Sequence, residues 1–324
     1  MTTFFITGGY GFLGQYIVQA IRDYDLQAEL RVLIRTPRKT YLNIEKLGSV
    51  RWAHGELTEP DSFMEHLKGV DTVIHNAAMV SFSNKERQKI LDSNIIGTRN
   101  LAQAARQAGC KNFIFISSIS AIEFRPPLLT TEAFFPDIEF KKRHDVYGYT
   151  KRVSEIELHG MRDGMRTIIL NPGVILGPGS ERVAAAINMI RRFPVIPMMD
   201  YVNAFVDVRD VTRAVTLALT KGRSGERYIV SAHNASMVEF TRAIVRHLGK
   251  KTRVFPLSPF WLKFIDGFVA LLDMLHLNRG IRRPSLVNVD KPCSHEKIKT
   301  EMGWEPEFTL DRSIVDSINS IGKE

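Results

Sequence analysis

Residues 3–14 read Thr3-Phe4-Phe5-Ile6-Thr7-Gly8-Gly9-Tyr10-Gly11-Phe12-Leu13-Gly14. A short apolar run enters glycines spaced Gly8-x-x-Gly11-x-x-Gly14, and an amphipathic pattern over 12–22 follows. That order predicts a strand, a tight turn and a helix. Gly8 permits the turn, Gly11 lets a diphosphate approach the backbone, and Gly14 lets the helix lie close to the strand. The helix N-terminus adds free N–H groups and the positive end of its dipole. A glycine pattern alone is weak evidence; its strand–turn–helix setting at the head of an alternating chain makes it strong. The bland alternative is a tight turn without a ligand.

Working outward, short apolar runs recur at 31–34, 50–53, 72–75, 113–117, 167–171 and 228–230. Helical patterns lie between them at 60–67, 94–108, 146–161 and 211–221. Strands alternating with helices imply parallel pairing, because parallel neighbours need a crossover. Nearly continuous apolar strands are those covered by helices on both faces. The expectation is an α/β fold with a doubly wound parallel sheet of the Rossmann kind. The pattern changes near Pro172: Gly177-Pro178-Gly179 breaks the chain, and proline-rich turns then dominate. A dinucleotide-binding part is therefore expected over 1–171, with 207–231 returning to it. A smaller, discontinuous substrate-binding part is expected over 172–206 and 232–324. No internal repeat or low-complexity tract is present.

The chain has 324 residues, of which 44% are hydrophobic and 24% charged, ordinary values for a soluble globular protein. Disorder, collagen-like repeats and a disulfide scaffold are excluded as descriptions of the whole. Cys110 and Cys293 sit in no CxxC or Cys/His cluster, so no metal site is expected. Lys and Arg number 44 against 35 Asp and Glu, a net charge of +9 that favours anionic partners. No Lys/Arg run reaches five residues and no nucleic-acid module is recognisable, so nucleic acid is not an expected partner. The N-terminus runs straight into a strand pattern, so no signal peptide is expected. No uncharged apolar stretch approaches the ~20 residues of a membrane span. A cytoplasmic protein is expected.

The second strand decides the ribose. An acidic residue about 20 positions beyond the glycines would hold a 2′-hydroxyl. Here the strand ends Val32-Leu33-Ile34-Arg35, followed by Thr36-Pro37-Arg38-Lys39. A guanidinium can bind a 2′-phosphate in a forked geometry, where a carboxylate would repel it. NADP(H) is the expected cofactor, with NAD(H) as the alternative. Arg35 stacking on adenine, or lying in solvent, is the other reading.

Two further features coincide. The fifth strand ends Phe115-Ile116-Ser117-Ser118, and Tyr147-Gly148-Tyr149-Thr150-Lys151 opens a later helix. Tyr147 and Lys151 are four apart and share a helix face. A phenol of pKa about 10 transfers protons poorly near neutrality unless its pKa is lowered. A neighbouring ammonium, and a positive nicotinamide ring, both favour the phenolate.

With these residues the chain resembles the extended short-chain dehydrogenase/reductase family, within the NAD-dependent epimerase/dehydratase superfamily. The glycine loop, Asn76-Ala77-Ala78, Asn94, Ser118, Tyr147/Lys151, Asn171-Pro172-Gly173 and Gly303-Trp304-Glu305-Pro306 carry the likeness. It is similar above all to dihydroflavonol reductase and 3β-hydroxysteroid dehydrogenase members. The resemblance implies Tyr147 as general acid/base, Lys151 on the nicotinamide ribose, Ser118 on the substrate oxygen, and Asn94 in a water relay. It implies cofactor contacts from Gly8, Tyr10, Gly11, Phe12, Leu13, Gly14, Arg35, Glu56, Leu57, Asn76, Ala77, Ala78, Lys151, Pro172 and Val174. Glu56 stands where many relatives carry Asp. Ser117 is the alternative to Ser118, Asn94 has a purely structural alternative, and Tyr149 and His75 read as structural.

Two reaction classes compete. Residues 171–178 look like the reductase form, and Arg35 agrees; the expected reaction is reduction of a ketone or aldehyde on a hydrophobic small molecule, or oxidation of the alcohol. The alternative is epimerisation or dehydration of a nucleotide sugar, for which Arg191, Arg192 and Arg209 could bind the diphosphate. A regulator that binds cofactor without chemistry is a third class. Over 260–277, Trp261, Phe264, Ile265, Phe268, Val269, Leu271, Leu272 and Leu275 recur at helical spacing, and Arg279, Arg282 and Arg283 follow. That helix reads as packing, as a lid over a lipophilic substrate, or as a peripheral contact with an anionic membrane. A homodimer is compatible with the resemblance.

Overall fold

The computed structural model describes residues 1–37, 40–47, 50–80, 86–161, 164–274 and 289–321. The strands in chain order are β1 (Thr3–Thr7), β2 (Glu29–Ile34), β3 (Val50–His54), β4 (Thr72–His75), β5 (Asn112–Ile116), β6 (Arg166–Pro172), β7 (Val174–Leu176), β8 (Val195–Met198), β9 (Val202–Asp207), β10 (Arg227–Val230), β11 (His233–Ser236) and β12 (Arg253–Pro256). The helices are α1 (Phe12–Tyr24), α2 (Arg87–Leu91), α3 (Gly97–Gln107), α4 (Ile138–His144), α5 (Val146–Gly160), α6 (Glu181–Arg192), α7 (Val208–Lys221), α8 (Met237–His247), α9 (Pro259–Met274), α10 (Glu296–Met302) and α11 (Leu310–Ile321).

Seven strands form one parallel sheet in the order β10-β6-β5-β4-β1-β2-β3. The doubly wound sheet expected from the apolar runs is therefore present. All five residues of β1 are buried, and successive side chains feed opposite cores. Phe4 and Ile6 join Ile17, Val18 and Ile21 of α1 and Val211, Ala214 and Val215 of α7. Phe5 joins Leu101, Ala102 and Ala105 of α3 and Leu158 of α5 on the other face. The order reverses between β1 and β4, which opens a crevice above the carboxyl ends of these strands.

Two helical expectations need correction. Residues 60–67 form two 3₁₀ turns, Pro60–Ser62 and Met64–Leu67, rather than one α-helix. Only Phe63 and Leu67 of this stretch reach full burial, too little to anchor a longer α-helix. Asn94 does not open a helix. It lies in a π turn, Asp92–Ile96, that joins α2 to α3 without a break.

Beyond Pro172 the chain builds two smaller sheets that the sequence patterns did not suggest, β11-β9-β7 and β12-β8. They pack with α6, α8 and α11 around a third core that includes Ile187, Ile196, Phe205, Ile244, Val254 and Ile314. Trp304 is fully buried and donates from its indole N–H to the Asp210 carbonyl at 2.9 Å. This bond ties the C-terminal segment to α7. Both cysteines are buried free thiols. Among the described residues no cluster suits a metal, and no helix is long and apolar enough to cross a membrane.

Candidate active site

A cleft of about 640 Å³ lies at the reversal of strand order. Of the residues expected at the cofactor, Gly8, Tyr10, Gly11, Arg35, Glu56, Leu57, Asn76, Ala77 and Ala78 line it. Gly8 has φ +71°, and a Cβ there would stand 2.8 Å from the Ala77 backbone. A Cβ on Gly14 would stand 1.9 Å from the Gly8 carbonyl oxygen, so the helix can approach the turn only as glycine. Gly14 thus shapes the turn from behind, whereas Phe12 and Leu13 pack on the core around α1 and do not line the cleft. Gly11 caps α1 without a side-chain bond, and the first turn carries no acid. Its N–H groups therefore present a bare positive end to the cleft. The Tyr10 ring stacks on Trp52 of β3, with centroids 5.0 Å apart.

At the far end, Arg35 and Glu56 face each other, with Nη1 to Oε2 at 3.4 Å. Arg35 is 69% exposed and free to turn toward an anion. Glu56 is held by a second bond, its Oε1 accepting from the Leu57 N–H at 3.1 Å. Thr36, Met79 and Ser93 also line the cleft, and sequence reading did not single them out.

A buried chain of hydrogen bonds runs from the cleft wall to the π turn. The Ala77 N–H donates to Thr7 Oγ1 at 3.1 Å. Thr7 Oγ1 lies 2.7 Å from His75 Nδ1, and His75 Nε2 lies 2.8 Å from Thr98 Oγ1. Thr98 donates to the Asn94 carbonyl at 2.6 Å. The Thr98 hydroxyl proton is thereby used, so His75 carries its proton on Nε2 and accepts from Thr7 on Nδ1. Burial, and then the Lys151 charge, push the His75 pKa down to about 3. His75 is therefore a neutral linker. The Asn94 side chain accepts from the Met79 N–H at 2.7 Å and donates to the Met79 carbonyl at 3.0 Å and to Thr150 at 3.1 Å. It clamps the loop after β4 to α5 from within the π turn.

Ser118, Tyr147 and Lys151 meet beyond this clamp, where β5 ends and α5 begins. Asp145 caps α5 by accepting from the Gly148 N–H at 3.1 Å. A Cβ on Gly148 would stand 2.5 Å from the Ser120 carbonyl oxygen, so glycine lets α5 press onto the turn after β5. Ser118 Oγ accepts from the Ser120 N–H at 3.1 Å, so its own proton can go to the Tyr147 oxygen. Burial pushes the Tyr147 phenol up to about 12, while hydrogen bonding with Ser118 and the charge of Arg182 act in the opposite direction. Lys151 is buried, donates to the Ile116 carbonyl at 2.7 Å, and sits 4.7 Å from the Phe115 ring centroid and 6.0 Å from that of Tyr147. Burial lowers its ammonium to about 7, and Glu155 pulls the other way.

The NAD dependent epimerase/dehydratase family model matches residues 4–231, most of the chain. The chain belongs to that family. It is 29% identical to the sterol demethylase protein B of Methylococcus capsulatus over 95% of each chain. It is 30% identical to a putative dihydroflavonol 4-reductase of Synechocystis, over 98% of this chain and 93% of that one. The crystal structure of gox2253 superposes with a TM-score of 0.87 at 24% identity, covering 100% of this chain and 98% of that one.

Within this NAD(P)-dependent family member, a second buried cluster lies under the Ser118–Lys151 site. Glu155 is 2% exposed and accepts from Ser117 Oγ at 2.5 Å, Asn171 Nδ2 at 2.6 Å, Arg227 at 3.0 Å and Arg152 at 3.1 Å. Asn171 also donates to the Ser118 carbonyl at 3.0 Å. Ser117 is thus bound to Glu155, whereas Ser118 is the serine that meets Tyr147. Sequence reading missed Glu155, although its spacing of four from Lys151 placed it on the same helix face. It also missed Arg182, which acts across from α6 on Tyr147 and Tyr201. Pro172 and Val174 do not line the cleft: Pro172 closes β6 beside Val230, and Val174 starts β7 and packs on the third core.

Proposed function

We propose that the protein is an NADP(H)-dependent reductase acting on a ketone or aldehyde of a hydrophobic small molecule. The juxtaposition of Ser118, Tyr147 and Lys151 beside a cleft whose second strand ends in Arg35 carries this reading. The names of two relatives, a sterol demethylase protein and a dihydroflavonol reductase, support an apolar substrate. The substrate would rest between the sheet and the part formed by 172–206 and 232–324.

The glycine loop and α1 would hold the diphosphate, Arg35 and Thr36 a 2′-phosphate, and Lys151 the nicotinamide ribose. A nicotinamide held there would supply the hydride. Ser118, whose hydroxyl bonds Tyr147, would turn its proton to the substrate oxygen. Tyr147 gives its phenolic proton to that oxygen as negative charge develops there, a contribution of about 10²–10⁴ in rate for a positioned acid. The Lys151 ammonium stabilises the phenolate left behind, and the Ile116 carbonyl keeps the amine aimed at it. Asn94 positions α5 rather than touching the substrate, since Met79 and Thr150 occupy its amide.

A cofactor-consumption screen tests the proposal. NADPH would be offered with aliphatic, steroid-like and flavonoid-like ketones, and with UDP- and GDP-sugars. Stoichiometric oxidation of NADPH with an apolar ketone is expected. Conversion of a nucleotide sugar without net cofactor turnover would replace this reading with an epimerase.

A further inference from the structure

We propose that the outward face of α9, with the basic residues on and around the β8–β12 ribbon that leads into it, docks on an anionic membrane surface. Phe260, Trp261, Phe264, Phe268 and Leu271 are 71%, 53%, 61%, 53% and 46% exposed. At 3.6 residues per turn these five fall within an arc of about 100°. The opposite side is apolar too: Val269 is buried, and Leu262, Ile265 and Leu272 are half-buried. An ordinary surface helix turns charge outward; this one is apolar on both sides. The sequence periodicity over 260–277 therefore divides into an inner and an outer stripe. Leu275, Arg279, Arg282 and Arg283 lie outside the described residues.

The chain leading into α9 has the same character. In the β8–β12 ribbon, Val195 pairs with Arg253 and Ile196 with Val254. Ile196 and Val254 turn inward, so Val195, Arg253 and Phe255 share the outer face, and the two apolar ones are 46% and 45% exposed. Phe193, 48% exposed, precedes the ribbon under the Arg192 guanidinium. Across 186–200 and 248–274 the sequence holds six basic residues, Arg191, Arg192, Lys250, Lys251, Arg253 and Lys263, against three acidic ones, Asp200, Asp266 and Asp273, a net excess of positive charge. None of the six forms an ion pair among the described residues.

Charge decides the occupant. A second copy laid face to face would set these cations against their own kind. Anionic headgroups satisfy them while the aromatic stripe enters the acyl boundary. Trp261 has the amphipathic ring that favours that boundary. A helix of 16 residues carrying Lys263, Asp266 and Asp273 lies along the surface and does not span it; the positive charge for the headgroups comes from the flanking residues Arg191, Arg192, Lys250, Lys251 and Arg253.

The test is co-sedimentation with phosphatidylcholine vesicles, plain or with a third of the lipid replaced by phosphatidylserine. Binding is expected to the mixed vesicles, with little to the plain ones and release by high salt. Trp261 emission should shift to the blue and be quenched by brominated lipid, and a Trp261→Phe variant should lose that signal. Phe264→Ser with Phe268→Ser should weaken partitioning about tenfold or more, with an unchanged melting curve. Lys250→Glu with Arg253→Glu should weaken binding to the mixed vesicles alone. No partitioning, salt-insensitive binding equal on both vesicles, or a solution dimer dispersed by Phe264→Ser would each overturn the proposal.

Discussion

The junction of β5, α5 and β6 and the outward face of α9 are opposites. At the junction a carboxylate, an amide and the Arg227 guanidinium are buried with Arg152 at their edge, and Glu155 alone receives four donors. On α9, aromatic rings stand more than half in water. A satisfied buried network holds atoms to one arrangement, because any displaced member strands a charge. An exposed apolar stripe fixes nothing and can adapt to whatever covers it. Chemistry is expected from the first region and recognition from the second.

Tyr147→Phe is the largest expected break. Turnover should fall by about 10²–10⁴, while cofactor affinity, followed by fluorescence of Trp52 beside Tyr10, stays nearly constant. Tyr149→Phe should be close to silent; the reverse result would mean that the wrong tyrosine has been assigned.

Glu155→Gln comes next and reads stability. It replaces an acceptor of four bonds by one oxygen and an amide NH2, a donor that faces the donors of Arg152 and Arg227. A loss of about 3–5 kcal/mol is expected in urea unfolding, as for a broken buried ion pair. Phe264→Ser, on the exposed face, should stay within about 0.5 kcal/mol. Similar losses for both would erase the distinction between the regions.

The same contrast explains what could be read from sequence. The β1 turn and α1 were legible because residues 3–14 both make and use the local structure. Tyr147 and Lys151 were legible because one helix spaces them. The small sheets were not: β11 pairs with β9 across some thirty residues, and β8 and β12 carry prolines that deny a strand signature. The roles of His75 and Glu155 were hidden because their partners come from other elements: Thr7 and Thr98 for one, Ser117, Asn171 and Arg227 for the other. Periodicity located α9 but could not tell an inner stripe from an outer one.

Lys151 gives a test in pH. Burial lowers its ammonium from 10.5 to about 7 in the folded protein. Between those values the unfolded chain binds more protons, so this group makes stability rise with pH from about 7 toward 10. Melting temperatures across that range should lose this rise in Lys151→Met. Lys263→Met, on exposed α9, should leave the curve unchanged. A parent curve without the rise would show that Lys151 keeps its proton in the folded state.

The smallest effects belong to the open end of the cleft, where solvent screens each charge. Arg35→Asp should remove a charge-assisted bond worth about 1.5–3 kcal/mol and carry the preference from NADPH toward NADH; equal parent affinities would refute the assignment. Glu56→Gln is subtler. The carboxylate 3.4 Å from the guanidinium competes with a 2′-phosphate for Arg35 and repels it directly. Glutamine keeps an oxygen for the Leu57 N–H, so the loop should hold its shape while the competition ends. Exposed pairs contribute about 0–1 kcal/mol, so the NADPH-to-NADH affinity ratio should rise by a few-fold at most. A ratio that falls would mean that Glu56 holds Arg35 in position for the phosphate, making the pair a device that selects the cofactor rather than a brake on it.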